Sequence, residues 1–236
     1  MVQTARMVER DLVKLGNKGK AKNSQRFFKT KPGEYGYGDI FIGVTVPEQR
    51  IIAKRYSELP LQEIKKLLQN KIHECRLTAL IILGTQFKQA DEKTRKRIVK
   101  FYLAHIQYVN NWDLVDASAR YILGEYLLDK NREILFKLAC SKNMWERRIA
   151  IVATHAFIVR GDVDDTLRIG EVLLSDSHDL VHKSTGWMLR EVGKKSLPSL
   201  KKFIDKHIFD MPRTMLRYAL ERFPEQERRR ILARKV

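Results

Sequence analysis

The feature that most limits what this chain can fold into is a short motif that returns at a nearly constant interval. The strings HECRLTAL (73–80), WERRIAIV (145–152), LVHKSTGW (180–187) and MPRTMLRY (211–218) each open an apolar run after a short polar joint. Each carries a basic residue in the same place: Arg76, Arg148, Lys183 and Arg213. Midway between the first two lies NNWDLVDA (110–117), with Trp112 in register. The successive spacings are 36, 36, 35 and 30 residues. A period in this range is the mark of a helical repeat array. A unit of that size is too thin to bury a core alone, so neighbours must stack, and the product is a superhelix with a concave inner face. The expected fold class is therefore all-α, an α-solenoid of helical hairpins.

The apolar pattern agrees with that expectation. Strand signals are scarce, and 3.6-residue periodicity dominates beyond Pro47. Helices are expected over Leu61 to Gln69, Arg76 to Phe87 and Arg95 to Ile106, with a charged helix from Glu225 to Arg234 closing the chain. Short polar joints between such pieces read as hairpins packed in series. One segment departs: 29–46, KTKPGEYGYGDIFIGVTV, holds Gly33, Gly36, Gly38 and Gly43 and reads as a loop. The expected organisation is a single domain over 1–236, with N-terminal helices and a glycine-rich loop in 1–46 and the repeat array in 47–236.

With 46 Lys and Arg against 28 Asp and Glu, the formal charge is +18. That excess predicts attraction to polyanions, of which nucleic acid fits best, because the basic residues are spread along the chain rather than gathered in one amphipathic membrane anchor. A merely solvated cationic surface is the plainer alternative. No stretch approaches the roughly 20 apolar residues of a membrane span. The segment Met1 to Gly16 is broken by Arg6, Glu9, Arg10 and Asp11, unlike a secretory leader. Cys75 and Cys140 form no CxxC pair and read as buried or idle thiols in a reducing compartment. The expected location is cytoplasmic, nucleoid-associated when DNA is bound.

Residues in register at the starts of the second helices should line one concave, cationic face, where free backbone N–H groups also favour phosphate. Trp112 interrupts that row, and Asp116 follows one helical turn later on the same side. Arg148 occupies the row one repeat on, and Trp187 lies one turn beyond Lys183. Trp112, Asp116, Arg148 and Trp187 are therefore expected to converge. Indole faces stack on bases and sugars and attract cations. A carboxylate beside DNA is repelled by phosphate unless it serves positive charge, such as an oxocarbenium-like sugar or a cationic alkylated purine. Asp116 could stabilise that charge and orient water toward the anomeric carbon, while Arg148 holds a flanking phosphate. Spacing alone leaves open the other arrangement, with core tryptophans and a structural ion pair between Asp116 and Arg148.

The strings NNWDLVD, WERRIAIV, VHKSTGWMLREVGK and MPRTMLRYALERF resemble the DNA alkylation repair family, the AlkD-type glycosylases, over nearly the whole chain from about Phe27. The resemblance implies HEAT-like repeats. It also implies hydrolysis of the N-glycosidic bond of N3- and N7-alkylated purines in duplex DNA, held on the concave face without base flipping. It implies a monomer that needs no metal or organic cofactor. The family's catalytic aspartate falls on Asp116, its sugar-lining tryptophans on Trp112 and Trp187, and its backbone-binding arginine on Arg148. Lys183, Arg213, Arg76, Phe27 and Arg190 join the expected DNA-binding set. Phe27 stands where the type member has a tyrosine, and the loop over 31–42 is longer. The alternative is a catalytically silent repeat protein that binds damaged or branched DNA.

Other motifs are weaker. HDLVH (178–182) has Asp where zinc sites of the HExxH kind have Glu, and no third ligand is evident. The GxxGxG spacing at 33–38 lacks a Walker lysine. His73, His105, His155 and His207 read as core or surface residues, Ser118 and Ser184 lack a base, and Glu34 and Asp39 read as carboxylates on a flexible loop. The tail ERRRILARKV is either a DNA contact or a solvated helix end.

Overall fold

The computed structural model describes residues 3–234, and within them all regular secondary structure is helical, apart from one isolated parallel bridge between Ile40 and Ile72. Lys235 and Val236, the end of the basic tail, lie outside the described residues. The helices pack into two compact units that divide between Ser118 and Ala119. The N-terminal helix Ala5–Lys14 buries Ala5, Val8 and Leu12 against the helices that follow it in the first unit.

The first unit contains α1 (Ala5–Lys14), α2 (Lys18–Phe27), α3 (Val46–Arg55), α4 (Leu61–Leu68), α5 (His73–Gln89), α6 (Glu92–Ala104) and most of α7 (Trp112–Ala119). Its hub is α5, whose 17 residues touch α1, α3, α4 and α6. Such a helix must be apolar on nearly every side, and α5 buries Leu77, Ala79, Leu80, Ile82 and Leu83. By contrast α4 buries only the stripe Ile64, Leu67 and Leu68, the one-sided spacing of a helix covering a core. The turns are set locally. Glu48 accepts from the Thr45 backbone N–H at 2.7 Å at the start of α3, where Pro47 fits the first turn. Asp91 caps α6 by accepting from the Thr94 N–H at 2.8 Å.

The segment between α2 and α3 is a loop, as expected, but not a loose one. Gly33, Gly38 and Gly43 have φ of 82°, 91° and 81°. The buried Glu74 carboxylate of α5 accepts from the backbone N–H groups of Ile42 (3.1 Å) and Gly43 (2.8 Å). Ile40 pairs with the start of α5, donating to Lys71 O at 3.1 Å and accepting from His73 N at 2.8 Å.

The second unit begins with a π turn over Arg120–Gly124. It continues through α8 (Glu133–Ala139), α9 (Met144–Ala153), α10 (His155–Val159), α11 (Asp164–Val172), α12 (Asp179–Lys195), α13 (Leu197–His207), α14 (Arg213–Ala219) and α15 (Glu225–Ala233). Its hub is α12, also 17 residues long, which packs on α9, α10, α11, α13 and α14. Gly186 of α12 permits a close approach. A Cβ there would lie 2.4 Å from the Met215 carbonyl of α14. Asn143 caps α9 and Ser196 caps α13. No helix among the described residues is long and apolar enough to cross a membrane.

Candidate nucleic-acid interface

In the first unit, Trp112 opens α7 and is half-buried. Its indole stacks on Phe28 with ring centres 5.1 Å apart and planes 11° from parallel. Phe27, two-thirds exposed at the end of α2, meets both rings edge-on, at 5.8 Å from Trp112 and 5.2 Å from Phe28. Asp116 lies on α7 one turn beyond Trp112 and is half-buried.

A polar cluster lies behind these rings. His73 Nδ1 is 2.8 Å from Asp39 of the loop, and His73 Nε2 is 2.8 Å from Asp113 of α7. Arg76 donates to the other Asp39 oxygen at 2.6 Å and to Asn70 O at 2.9 Å. Burial by itself would depress the His73 pKa, but the Asp113 charge and the hydrogen bonds to Asp113 and Asp39 outweigh it and raise the value to about 9. For Asp39, burial works upward, and the His73 and Arg76 partners overcome it and hold the carboxyl below its ordinary range. This corrects two expectations. Asp39 is clamped rather than carried on a flexible loop, and Arg76, at 5% exposure, is turned inward to Asp39 rather than outward to solvent. Cys75 is a core residue with its thiol pushed up to about 12 by burial, whereas Cys140 is exposed rather than buried.

In the second unit, Arg148 sits in the second turn of α9, is 5% exposed and donates to Leu180 O at 2.6 Å. Trp187 of α12 is half-exposed, donates from Nε1 to Glu191 at 3.2 Å and lies 6.2 Å from the His155 ring. Burial holds the His155 pKa below its ordinary value. Arg190 pairs with Glu191 at 3.5 Å and with Glu221. Lys183 and Arg213 line one open groove of about 820 Å³ with Arg217, Arg228 and Arg229. Lys183 pairs there with Asp179 at 2.6 Å, and Arg213 is exposed. The repeat register thus survives as positions near helix starts, but not as a uniform solvent-facing row. His178 caps α12, and His182 Nε2 bonds Asp176 O. Among the described residues no group of three or more His, Cys, Asp or Glu is arranged to hold a metal.

Residues 8–223 match the DNA alkylation repair enzyme family. The chain belongs to that family. As a DNA alkylation repair family member it also resembles a solved structure described as a predicted DNA alkylation repair enzyme from Enterococcus faecalis. The TM-score is 0.72 at 17% identity, over 89% of this chain and 97% of that one. No match is found among curated proteins. In this family member the sequence named Asp39 and His73 without bringing them together, and did not single out Asp113 or Phe28. The usable signals were His73 one turn before Arg76, and Asp113 beside the register tryptophan.

Proposed function

We propose that this family member is a DNA glycosylase that hydrolyses the N-glycosidic bond of N3- and N7-alkylated purines in duplex DNA. The observation that carries the reading is Trp112, stacked on Phe28 at the edge of the exposed Phe27 ring, with Asp116 one turn along the same helix. A flat aromatic surface beside a carboxylate suits a sugar that becomes positively charged. As the C1′–N bond breaks, its electron pair goes to the purine, which leaves neutral because alkylation had made it cationic. Asp116 stabilises the oxocarbenium-like sugar and accepts a proton from the water that adds to C1′. No general acid is required, and no residue need enclose a flipped base.

The groove with Lys183 and Arg213 takes backbone phosphates in this reading. Arg148 takes a flanking phosphate, and because it is buried beforehand, that contact requires its guanidinium to swing outward. One monomer serves one duplex, and the place of action is with the DNA in the cytoplasm.

The test is release of 7-methylguanine and 3-methyladenine from methylated duplex DNA by the wild type and by Asp116→Asn. Release by the wild type that drops by about a hundredfold or more in the mutant, with DNA binding retained, is expected for a group acting on the transition state. Full release by Asp116→Asn removes the role given to Asp116. No release by either protein, with binding intact, favours a catalytically silent DNA-binding relative.

A further inference from the structure

Side chains from three separate stretches of the first unit meet behind Trp112. His73 has a carboxylate oxygen 2.8 Å from each ring nitrogen, Asp39 at Nδ1 and Asp113 at Nε2. A neutral imidazole carries one N–H, so one of those two short contacts would set a lone pair against a carboxylate. Only the imidazolium donates to both. His73 is 1% exposed, so water cannot replace either partner. The remaining charge facing it is Arg76, which neutralises the second Asp39 oxygen, and Asn111 donates to Asp39 at 3.4 Å.

The same groups fix the first turn of α7. Asp113 accepts from the Leu114 N–H at 2.9 Å, and Asn111 accepts from the Trp112 N–H at 2.8 Å. The His73 ring also packs against Phe41, at 4.5 Å and 22°, and Phe28, at 5.1 Å; those two rings stack on each other at 4.8 Å, and Phe28 in turn stacks on Trp112. Phe41, His73 and Phe28 therefore form one cluster of touching rings, with Trp112 stacked on its Phe28 edge, and the His73 member is a cation gripped by two carboxylates.

We propose that His73 is a positioning residue: as the imidazolium it latches the glycine-rich loop to α7 and thereby fixes the Phe28–Trp112 platform. Its bearing on catalysis rests on the glycosylase reading above, while the latch itself does not. Loss of the proton takes the His73 donor from one of the two carboxylates and sets a ring lone pair against it, which loosens the link from loop to α7 and frees Trp112.

The test is ¹⁹F NMR of the 5-fluorotryptophan-labelled protein, with the Trp112 resonance assigned by its loss in Trp112→Phe. In the wild type that resonance should titrate with a midpoint near 9. Asp113→Asn keeps an acceptor oxygen but removes the charge, and should lower the midpoint by about 1–3 pH units. His73→Gln should abolish the titration. A Trp112 signal that stays flat from pH 7 to 10 in the wild type, or titrates identically in Asp113→Asn, overturns the latch. Excision at pH 7.5 supplies the second reading. His73→Gln should lower kcat by about tenfold or more with little change in KM, as expected for misplaced catalytic groups. Unchanged kcat in that variant overturns the positioning role. Absence of excision in the wild type defeats the glycosylase reading and leaves the NMR result to decide the latch.

Discussion

His73 ties the stability of the protein to pH in a definite direction. Its pKa in the folded state is about 9, against an ordinary value of 6.5. The folded state therefore binds the proton more tightly than the unfolded chain. The stabilisation is complete below about pH 6.5 and is lost as pH rises through about 9, with a size on the order of 3 kcal/mol. Asp39 has the opposite sign. Its pKa is lowered, so its contribution is present above the ordinary carboxylate range and is lost on acidification. The expected outcome is a melting temperature that falls by several degrees between pH 6.5 and 9.5 in the wild type. It should fall much less in His73→Gln, as measured by thermal circular dichroism in a series of buffers at fixed ionic strength. Equal slopes for the two proteins would assign the alkaline loss to other groups. This residue also shows what a sequence conceals. Trp112 and Asp116 stood out because they broke a repeat on one helix, and local spacing records that. The value of His73 depends on Asp39, 34 residues before it, and Asp113, 40 residues after it. No periodicity within a helix encodes such a meeting.

At the scale of elements, the glycine-rich loop does structural work that its composition only half discloses. Its glycines announced turns, and Gly33, Gly38 and Gly43 do adopt positive φ. What they did not announce was the close packing at Gly43, where a Cβ would lie 2.2 Å from Asn17 O and 2.6 Å from Ala21 N. Gly33 has a similar φ of 82° with nothing within 4 Å. The pair separates strain from collision. Gly33→Ala should cost about 1–2 kcal/mol, the left-handed penalty alone. Gly43→Ala should cost that plus the displacement of α2, roughly 3 kcal/mol or more. Urea unfolding midpoints read the difference, and equal losses would show that the loop yields freely at 43. The helices were more legible than this loop. The stripe of α4 and the closing helix α15 fall where periodicity puts them, because α4 buries one side and α15 only Ile231. The hub α5 begins at His73, three residues before the Arg76 start expected, since its first turn is held by the bridge to Ile40 rather than by an apolar pattern.

For the whole molecule, the charge of +18 and the family assignment both direct attention to DNA, and electrostatics gives a prediction with a number attached. Each phosphate neutralised releases condensed counterion, so log K falls with log salt at about 0.9 per contact on duplex DNA. Not every cation can contribute. Arg76 is committed to Asp39, and Arg190 is paired with Glu191 and Glu221. Arg213, Arg217, Arg228 and Arg229 line the groove between α12, α14 and α15. Binding of an undamaged duplex, followed by fluorescence anisotropy between 50 and 200 mM salt, should therefore show a steep slope. Arg217→Ala and Arg228→Ala should each reduce that slope by about one, whereas Arg76→Ala should leave the slope unchanged and lower the melting temperature instead. An affinity indifferent to salt would mean that the charge serves solubility alone. A steep slope untouched by the groove arginines would move the DNA to another face. The three variants distinguish these cases without any damaged base, so the mode of binding can be established whether or not the protein proves to cut the glycosidic bond.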